Sequence, residues 1–264
     1  MDGGAPGRCL GRLKPDAELL RRSPQFGAKF GAKRSVSSLD RRAIKFTPSI
    51  DDNNTLSDCT AVCVGNYARA AALIKGGFGI VIPTPKVVGF YSQSTGYDGT
   101  PATDGGGFIP RVLSSQAVKG FDIGDPNKVP LVGAWGTFDP ADTNLMRNSM
   151  VETGAVDLGV ALSMADQNTS GVWDINPPAS AGDPTPGSWG LHSWMGYDFT
   201  GTEDTDTLRV GTWGYWQRVT WRWLKRAVEE AHSIAWRLFG VGVGSDYDTL
   251  VADGELFAGW LADA

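Results

Sequence analysis

The sequence predicts an α+β domain, with helices first and antiparallel strands after, and three observations carry that reading. A Pro-free run rich in Ala and Val occupies residues 59–75. Short apolar or alternating runs gather in 156–214, and Gly/Pro-rich loops divide the two regions. The chain has 264 residues, 41% hydrophobic and 20% charged, a globular balance that excludes fibrous or wholly disordered classes. Ten Trp and 35 Gly point to aromatic packing and tight turns.

Charge is unevenly placed. Residues 1–45 hold eleven Lys/Arg against four Asp/Glu, a local +7, whereas residues 46–264 hold thirteen against twenty-five, or −12. The basic stretch has little periodicity and much Gly, Ser and Pro, so it reads as an extended arm ahead of one domain spanning 46–264. An arm of this sign either packs partly on the body as a solvated leader or binds an acidic partner. That partner would be a neighbouring subunit, nucleic acid or the acidic body itself. Nucleic acid is the weaker expectation, because only Phe26 and Phe30 interleave with the basic residues.

In chain order, SIDDNNTLSD (49–58) is a polar loop and CTAVCVGNYARAAALIK (59–75) is a helix, with Asp58 placed to accept backbone N–H groups at its N-cap. Residues 76–93 show a short apolar run between two breaks, the second at the prolines, and 94–107 form a Gly/Asp/Thr loop. FIPRVLSSQAVKG (108–120) is a short helix with Pro110 in its first turn. A further helix over 139–154 is opened by Asp139 and Pro140 and closed by Gly154. VDLGVALS (156–163) is a strand, and 173–190 is a long Pro/Gly loop of the kind that carries function. LHSWMGYDF (191–199) and TLRVGTWG (207–214) pair as a hairpin. Residues 220–239 fit either one helix or a short helix followed by a strand.

Several chemistries are unsupported. Cys59, Cys63 and one of the two histidines supply three zinc ligands at best, so no metal or other cofactor is expected. The phosphate-loop pattern and the G-x-S-x-G elbow are absent. Three cysteines, two of them four apart, do not suggest a disulfide framework. No apolar run reaches the ~18–20 residues of a membrane span, and MDGGAPGRCLGRLKPD lacks the apolar core of a secretory leader.

Cys59 stands out because a helix amino terminus stabilises a thiolate. His192, at the start of a strand after the long loop, is the candidate partner. NNTLSDCTAV (53–62) resembles the N-x-x-x-G-D-C-[TV]-x-A block of a papain-like family common in phages and prophages. WDINPPASAGDPTPGSWGLHSWMGYD (173–198) resembles that family's W-D-x-P … P-G-S-W-G-G-H-A-V-x-x-x-G-Y-D. VGTWG (210–214) followed by TWRWLKRAVEEAHSIAW (220–236) resembles its third block.

The resemblance implies a two-lobed papain-like domain in which Cys59 is the nucleophile and His192 the base. Asn53 stands where the wider family has its oxyanion-donating Gln, and Gly211 or Thr212 stands where the His-orienting Asn falls. It also implies a phage virion location after synthesis in the host cytoplasm, with a structural role in decoration, neck or tail. In that role residues 1–45 would touch other virion proteins. The alternative is an active peptidase or peptidoglycan-directed amidase acting on peptide or peptidoglycan. Ser57 for Gly, Leu191 for Gly beside His192, and the missing Asn depart from the pattern.

Overall fold

The computed structural model describes residues 8–14, 17–26, 36–124, 131, 133–236 and 245–263. A six-residue helix, α1 (Ala17–Arg22), precedes the central helix α2 (Cys59–Ala71), which ends in a π turn over Ala72–Gly76. Helices α3 (Thr84–Thr95) and α4 (Ile109–Lys119) pack beside α2. Strand β1 (Gly133–Phe138), helix α5 (Thr143–Thr153), strand β2 (Val156–Leu162) and the short α6 (Met164–Asn168) follow. Strands β3 (Gly190–Phe199), β4 (Thr207–Thr212) and β5 (Tyr215–Thr220) lead into α7 (Trp221–Ala227), β6 (Val228–Trp236) and α8 (Ser245–Asp263).

The six strands form one antiparallel sheet in the order β1-β6-β2-β3-β4-β5. Helix α2 lies against β3, and all its residues but Arg69 are buried, which explains its small side chains. Tyr67 ties the helix to the sheet: its hydroxyl donates to Ala155 O at 2.7 Å and accepts from Ile234 N at 3.1 Å. No helix among the described residues is long and apolar enough to cross a membrane.

Two sequence expectations change and one open alternative is resolved. Residues 84–95 are helical, because Pro85 sits in the first turn, where no N–H is needed. Helix α5 starts at Thr143 rather than near Asp139, since Asp142 is the residue whose side chain accepts from Leu145 N. Residues 220–236 divide into α7 and β6, the second of the two readings.

The described parts of the basic stretch lie on the body. Arg41 is buried and donates to Gly154 O (2.6 Å), Tyr197 O (2.8 Å) and Met150 O (2.6 Å). Burial lowers its pKa to about 10, still protonated at neutral pH. Leu39 bridges to Phe199 and Gln25 to Thr137. These described residues of the basic stretch therefore pack on the body.

Candidate active site

Cys59 opens α2 and is only 1% exposed. The backbone N–H groups of Ser193 on β3 and of Gly11 in the amino-terminal segment lie near enough to its sulfur to draw the thiol pKa down. Burial pushes the Cys59 thiol up to about 12, an effect the two N–H groups only partly offset. Asp58 does not cap the helix as expected. Its carbonyl accepts from Ala61 and Val62, while both carboxyl oxygens are buried without a hydrogen-bond partner. Burial raises that carboxyl to about 8, so it is protonated and neutral beside the thiol at pH 7.

His192 lies on β3, buried, with its Nε2 and Thr212 Oγ1 2.7 Å apart. Of Gly211 and Thr212, it is Thr212 that reaches the His192 ring. The other ring nitrogen, Nδ1, has no hydrogen-bond partner, the Cys59 sulfur included. The ring stacks on Trp213, with centroids 4.2 Å apart and planes 13° apart. Trp213 has φ of 43°, unusual for a bulky residue, in the tight turn with Gly214 that joins β4 to β5. The stack on His192 and a bond from Trp213 Nε1 to Cys9 O (3.2 Å) hold it there. Burial, with Arg12's charge nearby, lowers His192 to about 3, so the imidazole is neutral.

Asn53 is buried in the loop before α2. Its Nδ2 donates to Leu56 O at 3.1 Å and its carbonyl accepts from Cys9 N at 3.1 Å. Asp104 fastens the neighbouring loop: its carboxylate accepts from Ser57 N (3.0 Å) and from the Tyr91 hydroxyl (2.8 Å), and that hydroxyl accepts from Gly106 N (2.9 Å).

Residues 8–14 run against these loops, with Gly11 and Arg12 buried and Leu13 and Lys14 exposed. Leu13 N donates to Gly107 O at 2.9 Å and Gly107 N to Gly11 O at 2.7 Å, a parallel bridge. A Cβ on Gly11 would fall 1.8 Å from Ser57 O, and one on Gly106 would fall 2.0 Å from Gly11 O. Both backbones approach as only glycine permits. Arg8 lies over the rings of Trp189, Trp213 and Tyr215 at 5.3–5.9 Å. Arg12 is buried and pairs with Glu229 and Glu230, with 2.5 Å from Nη1 to Glu230 Oε1.

The sequence reading named Cys59, His192, Asn53 and Thr212, and missed Gly11, Arg12, Gly106, Gly107 and Trp213's stacking role. GGGF at 105–108 was weighed only as a phosphate loop, whereas consecutive glycines also mark a close backbone approach.

No protein-family model matches the chain, and no curated protein matches it by sequence. Solved structures do. The cysteine protease xylellain from Xylella fastidiosa superposes with a TM-score of 0.61 at 11% identity, covering 87% of this chain and 97% of that one. Digestive procathepsin L 3 of Tenebrio molitor larval midgut gives 0.55 at 14% identity, covering 87% and 76%. Procathepsin B from Trypanosoma congolense gives 0.56 at 10% identity, covering 86% of each chain. This chain has the fold of the papain-like cysteine proteases.

Proposed function

We propose that this chain is a thiol hydrolase of the peptidase type, held latent by its own residues 8–14. The observation that carries the reading is the Gly11 backbone, pressed against Ser57 O beside Cys59 and pinned there by Gly107 and Asn53 through its own segment. Two of the similar structures are, by name, proenzymes.

In this covered state the pair is a neutral thiol and a neutral imidazole, because desolvation disfavours both charges. Withdrawal of 8–14 admits water, which lowers the thiol pKa and raises that of the imidazole. With Nε2–H donated to Thr212, His192 Nδ1 is free to take the thiol proton. The thiolate attacks the carbonyl carbon, and the oxyanion is held by the Cys59 N–H with Asn53 Nδ2. Collapse breaks the C–N bond as the imidazolium returns the proton to the leaving amine. Water, deprotonated by His192, then hydrolyses the thioester. A fluoromethylketone or activated-ester probe tests this: labelling of Cys59 at neutral pH once the segment is displaced is the expected result, and none is the opposing one.

A shell retained as a virion component, the role implied by the phage resemblance, is the second reading. The 1% exposure of Cys59 and the Thr at the orienting position favour it. Purified particles should then hold the chain in stoichiometric amount by mass spectrometry.

A further inference from the structure

The stretch that lies against Cys59 is rooted outside the cleft. Residues 24–26 run along β1, the edge strand of the sheet. Phe26 N donates to Thr137 O at 2.8 Å, and Thr137 N donates to Pro24 O at 2.7 Å. Phe26 is buried, with its ring centroid 5.8 Å from that of Phe138. The root thus belongs to the sheet, and residues 8–14 are a tethered cover. Between root and cover stands α1, whose partner comes from the other end of the sequence. The Arg22 guanidinium lies over the Trp260 ring of α8 at 4.8 Å, while Glu18 accepts from its Nε within α1. Trp260 is a fixed platform: its ring is 5.6 Å from that of Phe257, which is buried edge-on to Trp135 of β1 at 5.5 Å. A cavity of about 490 Å³ lined by Arg21, Pro24, Asp253 and Leu256 adjoins this contact. Arg22 and Trp260 therefore meet beside open space rather than within a filled interface.

Docking of α1 sets the length of the tether. With α1 held, Gly11 is six residues from a fixed point at Ala17; with α1 free, the fixed point retreats to Pro24, thirteen residues away. The reach of the cover then grows from about 20 Å to about 45 Å, and its probability of closing falls about threefold. We propose that α8 is a latch on the cover: Trp260, by holding Arg22, keeps α1 docked and residues 8–14 closed beside Cys59, so release of α1 from α8 opens the site. The latch deepens the latent-hydrolase reading and rests on it.

Trp260→Ala in the full chain removes the platform without altering residues 8–14 or the residues they touch. Two measurements report the cover: the rate at which a polyethylene glycol maleimide labels Cys59, and amide hydrogen exchange read by mass spectrometry. Trp260→Ala should raise the labelling rate about threefold or more. Exchange should rise by a similar factor at Leu13 N and Gly107 N, both bonded between the cover and its loop, with α2 unchanged. Trp260→Phe keeps a ring under Arg22 and should stay within about twofold of the parent. Arg22→Ala tests the contact from its other side and serves if Trp260→Ala does not fold. Gly11→Ala, which displaces the cover directly, is the reference. If it speeds Cys59 labelling and neither Trp260→Ala nor Arg22→Ala does, the latch is overturned and the cover stands. If exchange rises in α2 as much as at residues 13 and 107, stability is lost globally and the latch is overturned. If Gly11→Ala has no effect, the cover itself fails and the latch falls with it.

Discussion

The two ends of the cleft under residues 8–14 solve burial in opposite ways. At the Cys59 end the thiol, the imidazole and the Asp58 carboxyl are each shifted by desolvation toward the uncharged form. At the Glu230 end opposite partners are matched: Arg12 pairs with Glu230, which also shares a hydrogen bond with His232. The difference lies in the occupant. A glycine backbone meets the nucleophile and offers one N–H, whereas an arginine side chain meets the acidic cavity. One segment of seven residues therefore meets both ends, with its backbone at one and a side chain at the other.

The largest way to break the comparison is to remove the reacting groups. In a chain whose cover is displaced, Cys59→Ala or His192→Ala should lower hydrolysis by about 10⁴-fold, read as kcat/KM. Breaking the opposite end should act on stability instead. Arg12→Ala leaves Glu230 buried beside His232 alone, and urea denaturation should show a loss of about 3 kcal/mol.

The neutral end also predicts a pH dependence. Asp58 titrates near 8 when folded, above its ordinary value of 3.8, so the folded state holds a proton that the unfolded chain has lost. Its contribution is fully present below about pH 4 and is lost as pH rises toward 8. Asp58→Asn should flatten that decline in denaturation curves taken across the window. An unchanged slope would show that the carboxyl is charged at neutral pH. The smallest effect is expected at Thr212. Thr212→Val removes the acceptor for His192 and should lower kcat by about tenfold with KM little changed, while Thr212→Asn should retain the rate.

The sequence was most legible where a signal is local. Helix α2 follows from a Pro-free Ala/Val run, α4 from Pro110 in its first turn, and β2 from a compact apolar stretch. Cys59 was singled out because a helix start has its own electrostatics, and Gly211 or Thr212 because one block resembled a family pattern. Strand β1 was missed: GAWGTF carries two glycines and buries every residue, so no alternation marks it. Segment 8–14 was read only as basic and irregular, since its meaning comes from partners far along the chain, such as Glu230 at 218 residues' separation. Gly159 within β2 was an available clue, because a lone glycine in a strand signals something close above it. The Asp58 carboxyl failed as a cap because its backbone, at φ −95° and ψ 15°, lies outside the extended conformation from which a capping side chain reaches back.

The cover is tested most directly by the reactivity of the Cys59 sulfur. In the full chain treated with iodoacetamide at pH 7 and read by site-resolved mass spectrometry, Cys59 should react slowly. Gly11→Ala cannot keep its backbone against Ser57 O, so in that variant the rate should rise at least about tenfold. A folded Gly11→Ala chain whose Cys59 stays as slow as before, or a parent chain already fast, would contradict it.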